Sequence, residues 1–121
     1  FAALFDDPNL LVGLLETNGT VLDVNETAMA YVGADRDTVI GESFWTTPWW
    51  EAEMRPVIRG KIEQAATGEY VEYEASLTAP DGVRYSVVGV VRPVVDEQGD
   101  VESLIVSARD VTDRDQPESP R

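Results

Sequence analysis

A chain of 121 residues has room for one domain, and 43% hydrophobic with 26% charged residues is the composition of a folded protein. It contains no cysteine and no histidine. That removes disulfides, thiolate nucleophiles, zinc–thiolate sites, the commonest general base and the commonest haem ligand. The net charge is −14, from 23 acidic residues against 9 basic ones, of which only Lys61 is lysine; such a surface repels nucleic acid and anionic headgroups.

Scarce lysine among abundant acid is the pattern expected of a halophilic protein, since charges are screened within about 3 Å at molar salt. No apolar run approaches the about 20 residues that span a bilayer, so no direct membrane contact is expected. With no signal sequence and no initiating Met, the chain reads as a cytoplasmic segment of a longer protein.

The chain opens on a short helical turn broken at Asp6-Asp7-Pro8, and Leu10–Thr17 reads as the first strand. Thr17-Asn18-Gly19 is a hairpin signal, because Asn and Gly accept the positive φ of a tight turn. Thr20–Val24 follows as a strand, and Asn25 caps a helix Glu26–Tyr31 closed by Gly33. Asp35–Ile40 reads as a second short helix stopped by Gly41. After the run Phe44-Trp45-Thr46-Thr47-Pro48-Trp49-Trp50 comes a third, over Glu51–Thr67. Its apolar residues Met54, Val57, Ile58, Ile62, Ala65 and Ala66 give one buried face, and Pro56 sits in the first turn.

The remainder is β. Val71–Leu77 alternates apolar and polar residues as a half-buried strand does. Pro80-Asp81-Gly82 turns into the Val-rich strand Val83–Val95, and Glu97-Gln98-Gly99-Asp100 into Val101–Ala108. Tight turns between consecutive strands imply antiparallel pairing. The prediction is an α+β domain: a five-stranded antiparallel sheet with helices packed on one face. It occupies residues 1–114, and 115–121, with Pro117 and Pro120, reads as a linker.

This element order, with Asp23-Val24-Asn25 before the first helix and Arg109-Asp110-Val111-Thr112 after the last strand, resembles the PAS family over about residues 4–114. Asp110-Val111-Thr112 is similar to the Asp-Ile/Val-Thr signature at which PAS domains hand over to an output helix. Asp81-Gly82 and Glu97-Gln98-Gly99 match its two late hairpins. The Phe44–Trp50 run is similar to a Trp-Pro-Trp-Trp run in PAS domains of prokaryotic sensor histidine kinases, which implies a multidomain signalling parent. Haem-binding, cysteinyl-flavin and cysteine-linked chromophore PAS domains need residues that this chain lacks. A small aromatic ligand held without covalent attachment stays open.

PAS ligands sit between the inner face of the sheet and the helices. Alternation turns Tyr73, Ala75 and Leu77 inward, and register with the family implies the same for Val87, Gly89 and Val91. On the last strand the inward set is Leu104, Val106 and Ala108. The helical layer supplies Met29, Val32, Phe44, Trp45, Trp49, Met54, Val57 and Ile58 as candidate walls. Small residues at Ala75, Gly89 and Ala108 opposite aromatic rings suit a planar apolar guest, because Gly inside a strand marks close approach by a ligand or another backbone. The alternative is that the Trp side chains fill the space, as core aromatics do. No buried Arg is evident, so a carboxylate ligand is disfavoured.

At the end of the last strand, Asp110 and Thr112 can bond local backbone and couple strand to connector, or serve as an ordinary cap. The expected function is a sensory PAS input domain, not an enzyme, that relays ligand binding to an output module downstream. The rival is a ligand-free module that dimerises through an outward stripe at Val88 and Val90. Glu72/Glu74 and Glu51/Glu53 read as solvated faces rather than an acid–base pair.

Overall fold

In the computed structural model, which describes residue 5 and residues 7–33, 35–79 and 81–112, strand β1 (Leu11–Leu15) turns back onto β2 (Val21–Val24). The turn is built by Gly19 at φ 91°, a backbone state that costs only glycine nothing. The Asn18 side chain also accepts from the Thr20 N–H at 2.9 Å. Both strands are shorter than expected, because the ladder stops where the turn's own bonds begin.

Asn25 is 1% exposed and spends its whole side chain on backbone. Its Oδ1 accepts from Ala28 N at 3.0 Å and from Val12 N at 3.1 Å, while Nδ2 donates to the Leu10 carbonyl at 2.7 Å. The first of these caps helix α1 (Glu26–Val32), which Gly33 closes at φ 65°. The other two tie that helix to β1. A seven-residue helix is marginal alone, so cap and packing hold it.

The expected second helix is only a 3₁₀ turn, Arg36–Thr38, none of whose residues is buried. The core contact of this segment comes instead from Val39, just past the turn, which is fully buried. The aromatic run forms a 3₁₀ turn at Phe44–Thr46, and a third at Ala52–Met54 leads into helix α2 (Arg55–Ala66). Helix α2 therefore starts later than the periodicity suggested, with Pro56 in its first turn, where no backbone donor is wasted. Its buried stripe is Ile58, Ile62 and Ala65; burying each Ile contributes about 1.5–3 kcal/mol.

Strands β3 (Val71–Thr78), β4 (Arg84–Val95) and β5 (Val101–Asp110) complete a sheet of order β2-β1-β5-β4-β3. All four pairings are antiparallel, as expected. Strand β5 runs two residues beyond Ala108 because β4 pairs with it as far as Asp110. The inner face, with Leu15, Val21, Val71, Val87, Val91 and Leu104, meets α1, α2 and the aromatic run in one core. On the outer face Val12 is buried, while Leu14, Val88, Val90, Val94 and Ile105 are half-buried. The expected N-terminal helical turn, apart from Phe5, and the linker 115–121 lie outside the described residues.

Replacing Asn25 by Ala removes the cap and strands a buried N–H and a buried C=O, so stability is expected to fall by about 3 kcal/mol in urea titrations. Asn25→Asp keeps the capping oxygen but places a carboxylate against the Leu10 carbonyl, and should lose nearly as much. If Asn25→Asp matches the native protein, the bond from the Asn25 amide to the Leu10 carbonyl is energetically idle.

Candidate functional site

Tyr73, Gly89, Ala108 and Leu11 form one row across β3, β4, β5 and β1. The Tyr73 ring lies over its neighbour: a Cβ built on Gly89 would stand 2.6 Å from Tyr73 Cζ and 2.6 Å from the Ser107 carbonyl oxygen. The glycine is thus required by the protein's own ring and its neighbouring strand. Trp50 meets Tyr73 edge-on at 6.3 Å and Phe44 edge-on at 5.5 Å, and Phe44 meets Trp49 at 6.1 Å. These rings occupy the space between sheet and helices, leaving a cavity of about 30 Å³.

That cavity gathers Phe44, Trp49, Tyr73, Leu77, Val87, Val106 and Ala108 from the expected walls. Trp50, Leu11, Val24 and Ala28 also line it, although the sequence had not singled them out. Trp50 was hidden by ambiguity over which members of an aromatic run turn inward. Ile58, Val91 and Leu104 are buried in the surrounding core, and Met29, Met54 and Ala75 pack half-buried against it. The side chain of Val32 lies outside what is described.

Two expected walls are corrected. Val57 is 46% exposed: with Ile58, Ile62 and Ala65 facing the core, the position before Ile58 is rotated about 100° away. Trp45 does not line the cavity. It packs on the β1–β2 turn, where a Cβ on Gly19 would come within 2.5 Å of its ring, and the Arg59 guanidinium lies over that ring at 5.4 Å.

The polar groups of the aromatic run and its neighbours are mostly committed to partners within the protein. Trp49 Nε1 donates to the Ala28 carbonyl at 2.9 Å, and the buried Thr47 hydroxyl donates to the Phe44 carbonyl at 2.6 Å. Thr46 bonds the Ser43 carbonyl, and Tyr85 stacks edge-on against Tyr31 at 5.0 Å. Burial alone pushes the Tyr73 hydroxyl above the ordinary phenol range, with no partner contributing. Trp50 Nε1 is buried without a hydrogen-bond partner among the described residues.

A second cluster joins helix to strand end. The Tyr31 hydroxyl on α1 donates to Asp110 Oδ2 at 2.9 Å, and Asp110 Oδ1 accepts from the Thr112 N–H at 2.9 Å and from the Thr112 hydroxyl. The Ser86 N–H on β4 donates to Thr112 Oγ1 at 3.0 Å, and Val111 N–H to the Ser86 carbonyl at 2.8 Å. Partial burial pushes the Asp110 carboxyl up, but these hydrogen bonds outweigh it and hold the pKa below the usual carboxylate value. Burial and then the bond to Asp110 push the Tyr31 phenol up to about 12. Asp110 and Thr112 therefore meet at one junction, and Tyr31 is the partner the sequence did not reveal.

A family model described as the PAS fold matches residues 5–116. The chain belongs to the PAS family. This PAS domain is 31% identical over 121 residues to the sensor histidine kinase TmoS of Ectopseudomonas mendocina, and 26% identical over 115 residues to the hybrid signal transduction histidine kinase D of Dictyostelium discoideum. It covers 96% and 92% of its own length in these matches but only 12% and 7% of the kinases.

Among solved structures, the PAS domain of a Colwellia psychrerythraea protein superposes with a TM-score of 0.75 at 17% identity, over 92% of this chain and 93% of that one. The PAS domain of BvgS from Bordetella pertussis gives 0.74 at 20%, over 91% and 82%. Among the described residues, no acidic cluster is placed to hold a metal ion and no helix is long and apolar enough to cross a membrane.

Tyr31→Phe keeps the ring against Tyr85 and removes the bond to Asp110. It is expected to cost about 1 kcal/mol at neutral pH in chemical denaturation, the low end for a bond to a charged group because the site is only partly buried. Because the folded Asp110 pKa is depressed, its contribution is present above the unfolded carboxylate value and lost as pH falls through the folded one. The difference between native protein and variant should therefore narrow below about pH 4. An Asp110 carboxyl that titrates identically in both, followed by carbon-13 NMR, would show the bond to be absent.

Proposed function

We propose that this PAS domain is the non-catalytic input module of a larger signalling protein of the histidine kinase type. In this reading a small apolar or aromatic molecule enters the space between sheet and helices, and the strain is passed through Asp110 and Thr112 to whatever follows the domain. The observation that carries it is the Tyr31–Asp110–Thr112–Ser86 junction, where a helix of the cavity wall is hydrogen-bonded to the chain's exit from the sheet. A displacement of α1 by a guest at Ala28 or Trp49 would reach Tyr31 within one helical turn of Ala28. A ligand can shift the junction only by binding its two states unequally.

The kinship with histidine kinases supports the parent. One neighbouring fold is that of VqmA bound to DPO, which superposes with a TM-score of 0.77 at 20% identity. Because the cavity encloses only about 30 Å³, binding has to displace a ring rather than fill a void. The guest then has to offset the packing it disturbs, and weak to moderate affinity is expected.

The test is native mass spectrometry of the purified chain, with identification of any molecule released on denaturation. A stoichiometric small molecule whose loss changes the hydrogen-exchange rate of the Thr112 amide supports the reading. A chain that is empty, and whose melting temperature no compound in an aromatic library raises, rejects it.

A second reading has its own observation. Val88 and Val90 stand half-buried on the outer face, in an open groove with Glu72, Glu74, Ser107 and Arg109. An apolar stripe with a charged rim can hold a second copy. Val90→Glu should then shift the sedimentation profile from dimer to monomer, and an unchanged profile removes this reading.

A further inference from the structure

We propose that the guest is an uncharged planar molecule carrying a hydrogen-bond acceptor, and that Trp50 is the residue that selects for it through its indole N–H. This rests on the small-molecule reading above and names the chemistry of that ligand. Trp50 is 4% exposed, and its Nε1 finds no partner among the described residues. Its neighbour Trp49, on the same segment, donates to the Ala28 carbonyl at 2.9 Å. The segment can therefore satisfy an indole, and Trp50 is the exception. Buried donors are nearly always paired in folded proteins, and an unmade bond carries the full desolvation of the group. An acceptor arriving beside Trp50 relieves that cost, whereas a guest without one leaves it in place.

The rest of the lining restricts the guest in the same direction. Trp50 shares the cavity with Leu11, Val24, Phe44, Leu77 and Val87, and no charged side chain lines it. An ion entering there would lose its water with no counter-charge to replace it. A single water fits by volume, but an ordered buried water needs two to four polar partners and apolar cavities stay dry. A guest acceptor is thus complementary to what the interior offers. The edge-on rings of Phe44 and Tyr73 around Trp50 favour a flat molecule. Room comes from Tyr73, whose ring rests on Gly89 with no side chain beneath it; turning that ring aside vacates the space of one aromatic ring.

The probes are acetophenone and α-methylstyrene, molecules of the same shape in which a carbonyl oxygen is exchanged for CH2. Each is titrated into the nitrogen-15-labelled chain, following the indole N–H resonances of its three Trp residues. The Trp50 signal is assigned by its proximity to Phe44 and Tyr73. Acetophenone should move the Trp50 indole proton downfield, and α-methylstyrene should not. In Trp50→Phe, the ratio of the two dissociation constants should shift against acetophenone by about tenfold, the size of one net hydrogen bond.

If both probes bind and that ratio is the same in native protein and variant, the role of Trp50 is overturned while the sensor reading stands. If neither probe perturbs any interior resonance at millimolar concentration, the inference falls and the small-molecule reading falls with it. Should Trp50→Phe fail to fold, the native protein decides alone: equal displacement of the Trp50 indole proton by both probes overturns the proposal.

Discussion

The side-chain amide of Asn25 makes three hydrogen bonds, all to main chain, and from them the relation of helix to sheet follows. One bond starts α1; the other two hold the start of that helix against β1. An amide suits this place because it offers an acceptor and a donor a few ångströms apart, which neither Asp nor Ser can supply. Helix α1 then presents the Ala28 carbonyl to Trp49 and the Tyr31 hydroxyl to Asp110. The cavity wall and the exit junction are thus placed by the same short helix, whose start is held by a single buried side chain.

The interior shows how a strand glycine should be interpreted. Gly89 leaves room, but the room is taken by Tyr73 from the adjacent strand and by the backbone of β5. A cross-strand aromatic over a glycine recovers packing that the glycine alone would forgo. The interior is closed, and a few side chains close it.

Several features of the site were legible in the residues. Alternation along β3 put Tyr73 and Leu77 on the inner face, and local chemistry marked Asp110 and Thr112 as residues able to bond nearby backbone. Other features were not. Val57 looked like part of an apolar stripe because stripe width cannot be read without knowing where α2 begins, and it begins at Arg55, after a 3₁₀ turn. Trp45 and Trp50 could not be told apart within one run of aromatics, since a 3₁₀ turn followed by extended backbone has no fixed period to assign faces. Tyr31 lies 79 residues from Asp110, and nothing local announces that pair.

What the sequence by itself determined is what local physics controls: the strands and their turns, the cap at Asn25, and a class of function free of cysteine and histidine chemistry. It also carried the family, because the PAS pattern is a fixed order of such local signals. What only the tertiary structure decided is how side chains distant in sequence share one volume. Whether Gly89 faces a ligand or a tyrosine, which tryptophan keeps a free N–H, and what holds Asp110 all depend on contacts between elements. Those contacts are settled by close packing, which responds to the shape of every neighbour at once and therefore leaves no periodic trace in the chain.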